Sequence, residues 1–139
     1  MLFQTILVGV DGSPPSRRAV ETAVTLAKRD KARLLFVSVV PFPEDLLDRA
    51  LHWRIQKGFS QALDAALGLA RRKGVRATPM LLDGRPAEQL LWISKKSKAD
   101  LVVVGSWGTS LAARTVRVLV GHVARELVDR GHCAVLVVR

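Results

Sequence analysis

Uninterrupted apolar runs alternate along the chain with stretches in which apolar residues recur every three or four positions. The continuous runs are typical of strands buried on both faces, and the 3.6-residue period is typical of amphipathic helices. Five strands are predicted in this way, at residues 2–10, 32–40, 75–83, 100–106 and 133–139. The pattern therefore predicts an α/β fold in which strands and helices alternate along the whole chain.

Four helices are predicted between the strands, at residues 11–30, 41–74, 85–98 and 121–130. The first begins with Ser13 as its N-cap and Pro14 at the first helical position. Its apolar stripe comprises Ala19, Val20, Ala23, Val24 and Ala27. The second helix keeps the same period through Leu47, Leu51, Ile55, Phe59, Ala62, Ala66 and Leu69, and Gly74 ends it.

The order of the elements predicts one domain over residues 1–139, with a mostly parallel sheet and helices on both faces. Pro79 cannot donate to a strand ladder, so the third strand is predicted at an edge of the sheet. In such sheets, ligands bind at the carboxyl ends of strands, beside the point where strand order reverses. Two strand ends carry suitable residues: "VGVDGS" ends the first, and a glycine-rich loop follows the fourth.

Composition narrows the class of protein. The 139 residues suffice for one hydrophobic core, and the single cysteine, Cys133, excludes an internal disulfide. No apolar run reaches the roughly 20 residues that a membrane span needs. We therefore expect a soluble, cytoplasmic protein without a membrane partner.

The net charge of +10 favours an anionic partner. The basic residues are dispersed along the sequence, however, and the densest groups, at 71–73 and 95–98, fall near predicted helix ends. Cations at helix C-termini complement the helix dipole and need no partner. A nucleic acid or a membrane surface is therefore the least favoured of the partners considered.

Four segments together resemble the universal stress protein family. They are "ILVGVDGSPPSRRAV", "DLVVVGSWG", "VRVLVGHVARELV" and "CAVLVVR", and the resemblance covers essentially the whole chain. It implies an open parallel sheet in the order 3-2-1-4-5, a Rossmann-like fold similar to that of the adenine nucleotide alpha hydrolases. It also implies bound ATP, with or without magnesium, and a homodimer formed through the last strand, comprising Ala134, Val135, Leu136, Val137 and Val138.

The resemblance also implies a set of nucleotide-binding residues. ATP-binding members carry Gly-x2-Gly-x9-Gly-Ser/Thr after the fourth strand and an aspartate after the first. Asp11, Gly105, Gly108 and Gly121 match these positions, and Val39 is expected in the same site. The sequence departs from the pattern twice, because twelve residues separate Gly108 from Gly121 and because His122 replaces the hydroxyl residue.

The glycines permit close approach of the backbone to a phosphate, and the N–H groups that begin the next helix point at the anion. His122 retains a ring donor, and the longer loop brings Arg114 and Arg117, which are able to pair with phosphate oxygens. The alternative is that the glycines only turn and pack the chain. Asp11 followed by Gly12 is equally a common turn pair.

Three functions remain open: a nucleotide-binding regulatory protein with unidentified client proteins, a dimeric adaptor that has lost its ligand, and a binder of nucleic acid or membrane. The loop glycines favour the first, and the longer loop with His122 favours the second. No Ser-His-Asp order or paired carboxylate appears, so the residues support at most slow ATP hydrolysis.

The remaining distinctive side chains have modest expected roles. Trp53 and Trp92 are predicted to pack on their helices, while Trp107 either stacks on a base or packs against its own loop. His52 and His132 lack a second ligand at metal spacing, and Cys133 is expected to behave as a small apolar residue. In the last strand, Val135 and Val137 share one face and Leu136 and Val138 the other, and one pair is predicted to face a partner.

Overall fold

A computed structural model of the chain describes residues 2–41, 49–107 and 121–139. The strands are β1 Thr5–Gly9, β2 Arg33–Val40, β3 Ala77–Asp83, β4 Leu101–Gly105 and β5 Ala134–Val138. The helices are α1 Pro14–Asp30, α2 Arg49–Arg72, α3 Pro86–Lys96 and α4 His122–Arg130. All neighbouring strands pair in parallel, in the order β3-β2-β1-β4-β5. The predicted sheet is confirmed, with β3 and β5 at its edges.

Helix α1 begins as its sequence predicts. The Ser13 side chain accepts a hydrogen bond from the Ser16 N–H, and prolines occupy the first helical positions. Lys31 ends the helix in the left-handed conformation, with φ of 56°. The predicted apolar stripe is buried throughout, which fixes the face that α1 turns towards the sheet.

Each face of the sheet carries its own apolar core. Ile6 and Val8 of β1 pack with residues of α1 and α2, whereas Leu7 between them packs on the other face with residues of α3 and α4. This alternation follows from the two-residue period of a strand. Helices on both faces explain why the strands read as continuous apolar runs.

The first half of α2 departs from the prediction. Leu51 and Ile55 were expected in the apolar stripe, but 50% and 38% of their surfaces are exposed, and Leu47 lies outside the described residues. The reason is length, because a 24-residue helix extends about 36 Å whereas the eight residues of β2 span about 26 Å. Only the second half, from Phe59 onwards, contributes buried residues to the fold.

Trp53 and Trp92 are also exposed, at 60% and 53% of their surfaces, so the prediction that they serve as packing residues is wrong. Each lies one helical turn before a lysine whose ammonium group sits over the indole ring. The distances to the ring centroid are 5.0 Å for Lys57 over Trp53 and 4.7 Å for Lys96 over Trp92. Cation–π contact with a neighbour on the same helix replaces burial at both positions.

Strand β5 contributes to both cores. Val135 and Val137 pack against the side of α3 and α4, and Leu136 and Val138 against the side of α1 and α2. Both pairs therefore pack inward, contrary to the prediction that only one would. Among the described residues, no strand pairs with the outer backbone edge of β5.

Two aspartates tie the start of the chain to the amino ends of the strands. Asp30, 5% exposed, accepts hydrogen bonds from the Leu2 and Phe3 N–H groups at 3.2 and 3.0 Å, and Arg29 Nε donates to it at 2.9 Å. Asp100 accepts from the Gln4 and Thr5 N–H groups in the same way. The Arg29 guanidinium and the backbone donors hold the pKa of Asp30 below its ordinary value, although burial opposes them.

The lowered pKa of Asp30 predicts a pH-dependent contribution to stability. Such a group stabilises the fold above its unfolded pKa, and the contribution is lost as the pH falls through the folded pKa, below about 4. Asp30→Asn is therefore expected to lower the free energy of unfolding at neutral pH. The difference from the parent should shrink as the pH falls below about 4. Urea denaturation at a series of pH values measures it, and a difference independent of pH would contradict this role.

Candidate functional site

A cleft of about 360 Å³ opens at the carboxyl ends of β1 and β4, where the strand order reverses. Its described lining comprises Gly9, Val10, Asp11, Ser16, Val37, Val39, Pro41, Phe59, Pro86, Leu90, Val104, Gly105, Trp107, Gly121, His122, Val123 and Ala124. Five residues assigned from the sequence therefore meet in one place: Asp11, Val39, Gly105, Gly121 and His122. Gly108, Arg114 and Arg117 lie outside the described residues.

The turn between β1 and α1 holds Asp11 at the cleft. Its Oδ1 accepts the Ser13 N–H at 2.9 Å, its own N–H donates to Ser16 Oγ at 3.1 Å, and Gly12 takes φ of +80°. The turn role considered for Asp11 is therefore real. The turn does not occupy every acceptor position of the Asp11 side chain, because an ionised carboxylate offers about four. Asp11 is half-buried and able to accept from a ligand as well.

Gly105 allows the end of β4 to approach the start of α1. A Cβ at this position would lie 2.8 Å from the carbonyl carbon of Pro15 and 2.8 Å from the Ser16 nitrogen. Both are backbone atoms at a helix start, so neither moves without shifting the helix. Glycine at 105 is thus a packing requirement that also brings two walls of the cleft together.

Gly121 is the N-cap of α4 and packs tightly under the end of β4. Its N–H donates to the Ser106 carbonyl, and a Cβ would lie 3.1 Å from that oxygen. This N–H is therefore already engaged, whereas the sequence pattern implied that it would face a phosphate. As a glycine, the N-cap offers no side chain to the first N–H groups of α4, which begin at His122.

The His122 side chain points along its helix. It is 83% exposed, and Nε2 lies 3.8 Å from Glu126 Oε1, while Arg130 donates to the other Glu126 oxygen at 3.0 Å. His122 thus lines the cleft chiefly with its backbone. The family pattern has a hydroxyl side chain at the position of His122. Among the described side chains of the cleft, only Ser16 carries a hydroxyl, and its Oγ already accepts from the Asp11 N–H and donates to the Gly9 carbonyl.

Most of the cleft wall is apolar, and sequence reasoning missed it. Val10 directly follows β1 and Val37 belongs to β2, while Phe59 comes from α2. Phe59 was assigned only to the helical stripe, because periodicity identifies a buried face without showing that the face also meets a cavity. Among the described lining residues, Asp11 is the only acid and neither lysine nor arginine occurs.

The other titratable candidates lie elsewhere. His132 and Cys133 border an open hollow at the opposite end of the sheet, together with Lys95, Lys98 and Asp100. Burial, followed by the charge of Asp100, raises the pKa of the Cys133 thiol, which suits the expected apolar role more than a nucleophile. In the described ranges, no three His, Cys, Asp or Glu side chains are grouped to hold a metal.

The family model described as the Universal stress protein family matches residues 2–139. The chain belongs to this family. A universal stress protein of Thermus aquaticus is 34% identical over 147 residues, covering 99% of this chain and all of the relative. Its full-length coverage shows that the resemblance seen in four segments extends through the helices between them.

Solved universal stress proteins share the fold. UspA from Lactobacillus plantarum superposes with a TM-score of 0.83 at 27% identity, covering 100% of this chain and 99% of its own. Another universal stress protein, solved in complex with cAMP, has a TM-score of 0.76 at 28% identity, with 100% and 99% coverage. None of the helices in the described part of this chain has the length and hydropathy to cross a bilayer.

Proposed function

We propose that this universal stress protein binds an adenine nucleotide in the cleft between β1 and β4 and acts as a nucleotide-responsive regulatory protein. The observation that carries the proposal is the convergence of Asp11, Val39, Gly105 and the start of α4 on one largely apolar cleft at the switch point of the sheet. The family member solved with cAMP supports the same class of ligand.

The cleft offers a distinct partner to each part of a nucleotide. The walls that include Val39 and Phe59 suit an adenine ring, and Trp107 at the end of β4 adds an aromatic surface. The Asp11 carboxylate suits ribose hydroxyls, which donate to it. The phosphate is best placed at the N-terminus of α4, where N–H groups beyond Gly121 and the helix dipole favour an anion.

The number of ligand phosphates whose charge the cleft is able to balance depends on nearby cations. The described lining contains neither lysine nor arginine. ATP carries more negative charge than one helix N-terminus balances, since the dipole is equivalent to about half a charge. Arg114 and Arg117 are the residues proposed to supply the rest, with or without magnesium. ATP is thus proposed as the ligand on the strength of these arginines, whereas a monophosphate needs less compensation.

Titration calorimetry with ATP, AMP and cAMP, and with GTP as a base control, tests the proposal. We expect the adenine nucleotides to bind and GTP to bind more weakly. In the Arg114→Ala/Arg117→Ala double variant, ATP should bind about tenfold more weakly, equivalent to about 1.4 kcal/mol, with a smaller salt dependence. The affinity for cAMP should change much less, because it carries a single phosphate charge.

Two outcomes of this titration would count against the proposal. Absence of heat with every nucleotide, from folded protein, would favour the dimeric adaptor that has lost its ligand. Equal losses of ATP and cAMP affinity in the double variant would show that the arginines shape the loop instead of pairing with the extra phosphates.

Assembly forms a second part of the proposal. We propose that two copies associate through the outer edge of β5, in the cytoplasm, and that the nucleotide modulates how this dimer meets its client proteins. An edge strand with unpaired N–H and C=O groups is a template for pairing with another chain. β5 meets that condition, because its inner edge pairs with β4 and it is the last strand of the sheet.

A further inference from the structure

Almost all of the net charge of this protein lies at one end of the sheet. Parallel strands bring their amino ends to one edge, and each helix ends there before the next strand begins. The segments concerned are residues 28–33, 71–76, 95–100 and 129–132, and we call them together the cationic end. They contain twelve of the 22 Lys and Arg residues but only three of the 12 Asp and Glu residues.

The rest of the chain is nearly neutral, with ten basic and nine acidic residues. The cationic end therefore accounts for nine of the ten net positive charges. Its twelve basic side chains are all exposed, and they are Lys28, Arg29, Lys31, Arg33, Arg71, Arg72, Lys73, Arg76, Lys95, Lys96, Lys98 and Arg130. The basic residues are dispersed along the sequence, which argued against a polyanionic partner. The fold brings twelve of them together at one end of the sheet, so this argument no longer holds.

Hydrogen bonds show that three of the four segments of the cationic end adjoin one another. Arg33 donates to the Ser97 carbonyl at 3.3 Å, and the Leu34 N–H donates to the Arg76 carbonyl at 3.0 Å. Asp30 and Asp100, two of the three acids, are engaged by the N–H groups of residues 2–5. Both hold the start of the chain, and Asp30 also pairs with Arg29 at 2.9 Å. Arg130 pairs with Glu126 at 3.0 Å, so two of the twelve cations have an acidic partner.

Complementing the helix dipoles does not account for so many cations. Four helix C-termini contribute about two negative charges in total, which leaves a surplus of about seven. Between the ends of α3 and α4, Lys95, Lys98 and His132 border an open hollow of about 580 Å³. An open surface bordered by cations suits a chain of phosphates. Leu2, which precedes β1, exposes a large apolar side chain at the same end of the sheet.

We propose that the cationic end binds the phosphate backbone of nucleic acid, without base specificity, on the side of the molecule opposite the nucleotide cleft. With five strands about 4.8 Å apart and a helix layer on each face, this end measures roughly 20 by 30 Å. That area accommodates several consecutive phosphates. An anionic bilayer is less well matched, because the described part of this end presents no amphipathic helix to insert.

Two variants of equal net charge test the proposal. The first replaces four cations of the cationic end with glutamine: Lys28, Arg72, Arg76 and Lys95. The control replaces four exposed arginines elsewhere: Arg17, Arg49, Arg54 and Arg125. Binding of fluorescent single-stranded RNA and DNA of about 20 nucleotides is measured by anisotropy across a salt series. Exposed substitutions of this kind shift stability by about half a kcal/mol each, and thermal melting checks the fold.

We expect the parent to bind RNA and DNA comparably, in the micromolar range near physiological salt. The cationic-end variant should bind at least tenfold more weakly with a shallower salt slope, whereas the control should change by about twofold at most. In the parent, RNA should protect Lys28 and Lys95 from acetylation but leave Lys57 reactive. Equal losses in both variants, no binding by the parent, or binding only to phosphatidylserine vesicles would overturn the proposal.

Discussion

Gly105→Ala is expected to lower the free energy of unfolding by about 3 kcal/mol, the upper part of the range for overpacking. The added Cβ would meet the Pro15 carbonyl carbon and the Ser16 nitrogen at 2.8 Å, closer than real Cβ contacts allow. Relief requires moving the start of α1 away from β4. Because Ser16 also holds the Asp11 turn, the same movement should disturb the cleft.

Gly58→Ala is the matched control. Gly58 lies within α2, exposed, and a Cβ there would meet nothing within 4 Å. Alanine in an exposed helix interior should stabilise the protein by about 0.5–1 kcal/mol. Urea denaturation of the two variants distinguishes a steric clash at position 105 from a general effect of replacing glycine with alanine. A Gly105→Ala protein as stable as the parent would show that α1 and β4 separate without cost.

Two prolines in β5 are expected to have opposite consequences. The Val138 carbonyl accepts the Ser106 N–H at 2.7 Å, so Val138 directs its backbone groups towards β4. Leu136 does the same, since alternate residues of a strand face the same edge, and Val137 faces outward. Leu136→Pro should therefore break an internal ladder bond, leave a β4 carbonyl without its donor and lower the free energy of unfolding by about 1–3 kcal/mol. Val137→Pro should spare that ladder and remove a donor from the outer edge.

Sedimentation and circular dichroism distinguish these consequences. If two copies pair through β5, the parent sediments as a dimer, Val137→Pro shifts towards a folded monomer, and Leu136→Pro loses structure. A charge at Val138 is a poorer probe, because this side chain packs against the core beneath α1 and α2. A monomeric parent, or a Val137→Pro protein that remains dimeric, would place the interface elsewhere.

Local patterns predicted the elements and the place of the cleft well. Ser13, Pro14 and the stripe of α1 act over a few residues, so the sequence determines them directly. The edge position of β3 followed from Pro79 for the same reason. Parallel order then placed Asp11 and Gly105 at one end of the sheet, which is why both were assignable before any coordinates were known.

The errors arose where a residue's surroundings come from distant segments. Periodicity placed Leu51 in the same helical stripe as Phe59, but it contains no information about how far the sheet extends beneath that helix. Trp53 was expected to pack because it lies on a predicted helix, and a lysine four residues later covers its ring instead. The cationic end went unseen because its members are separated along the chain by the helices that bring them together.

The two edges of the sheet are not equivalent. The Arg76 carbonyl and the Gly84 N–H both bond to β2, so Pro79 has its backbone directed away from β2, where a further strand would require an N–H. A copy approaching this edge would meet no N–H donor at Pro79, whereas no described residue pairs with the N–H groups that Val135 and Val137 direct outward from β5. Pairing of β5 with the β3 edge of another copy, the head-to-tail arrangement that grows into fibres, is therefore disfavoured. If two copies associate through β5 alone, the assembly ends at two copies, and the proline-bearing strand on each outer border is a barrier to polymerisation.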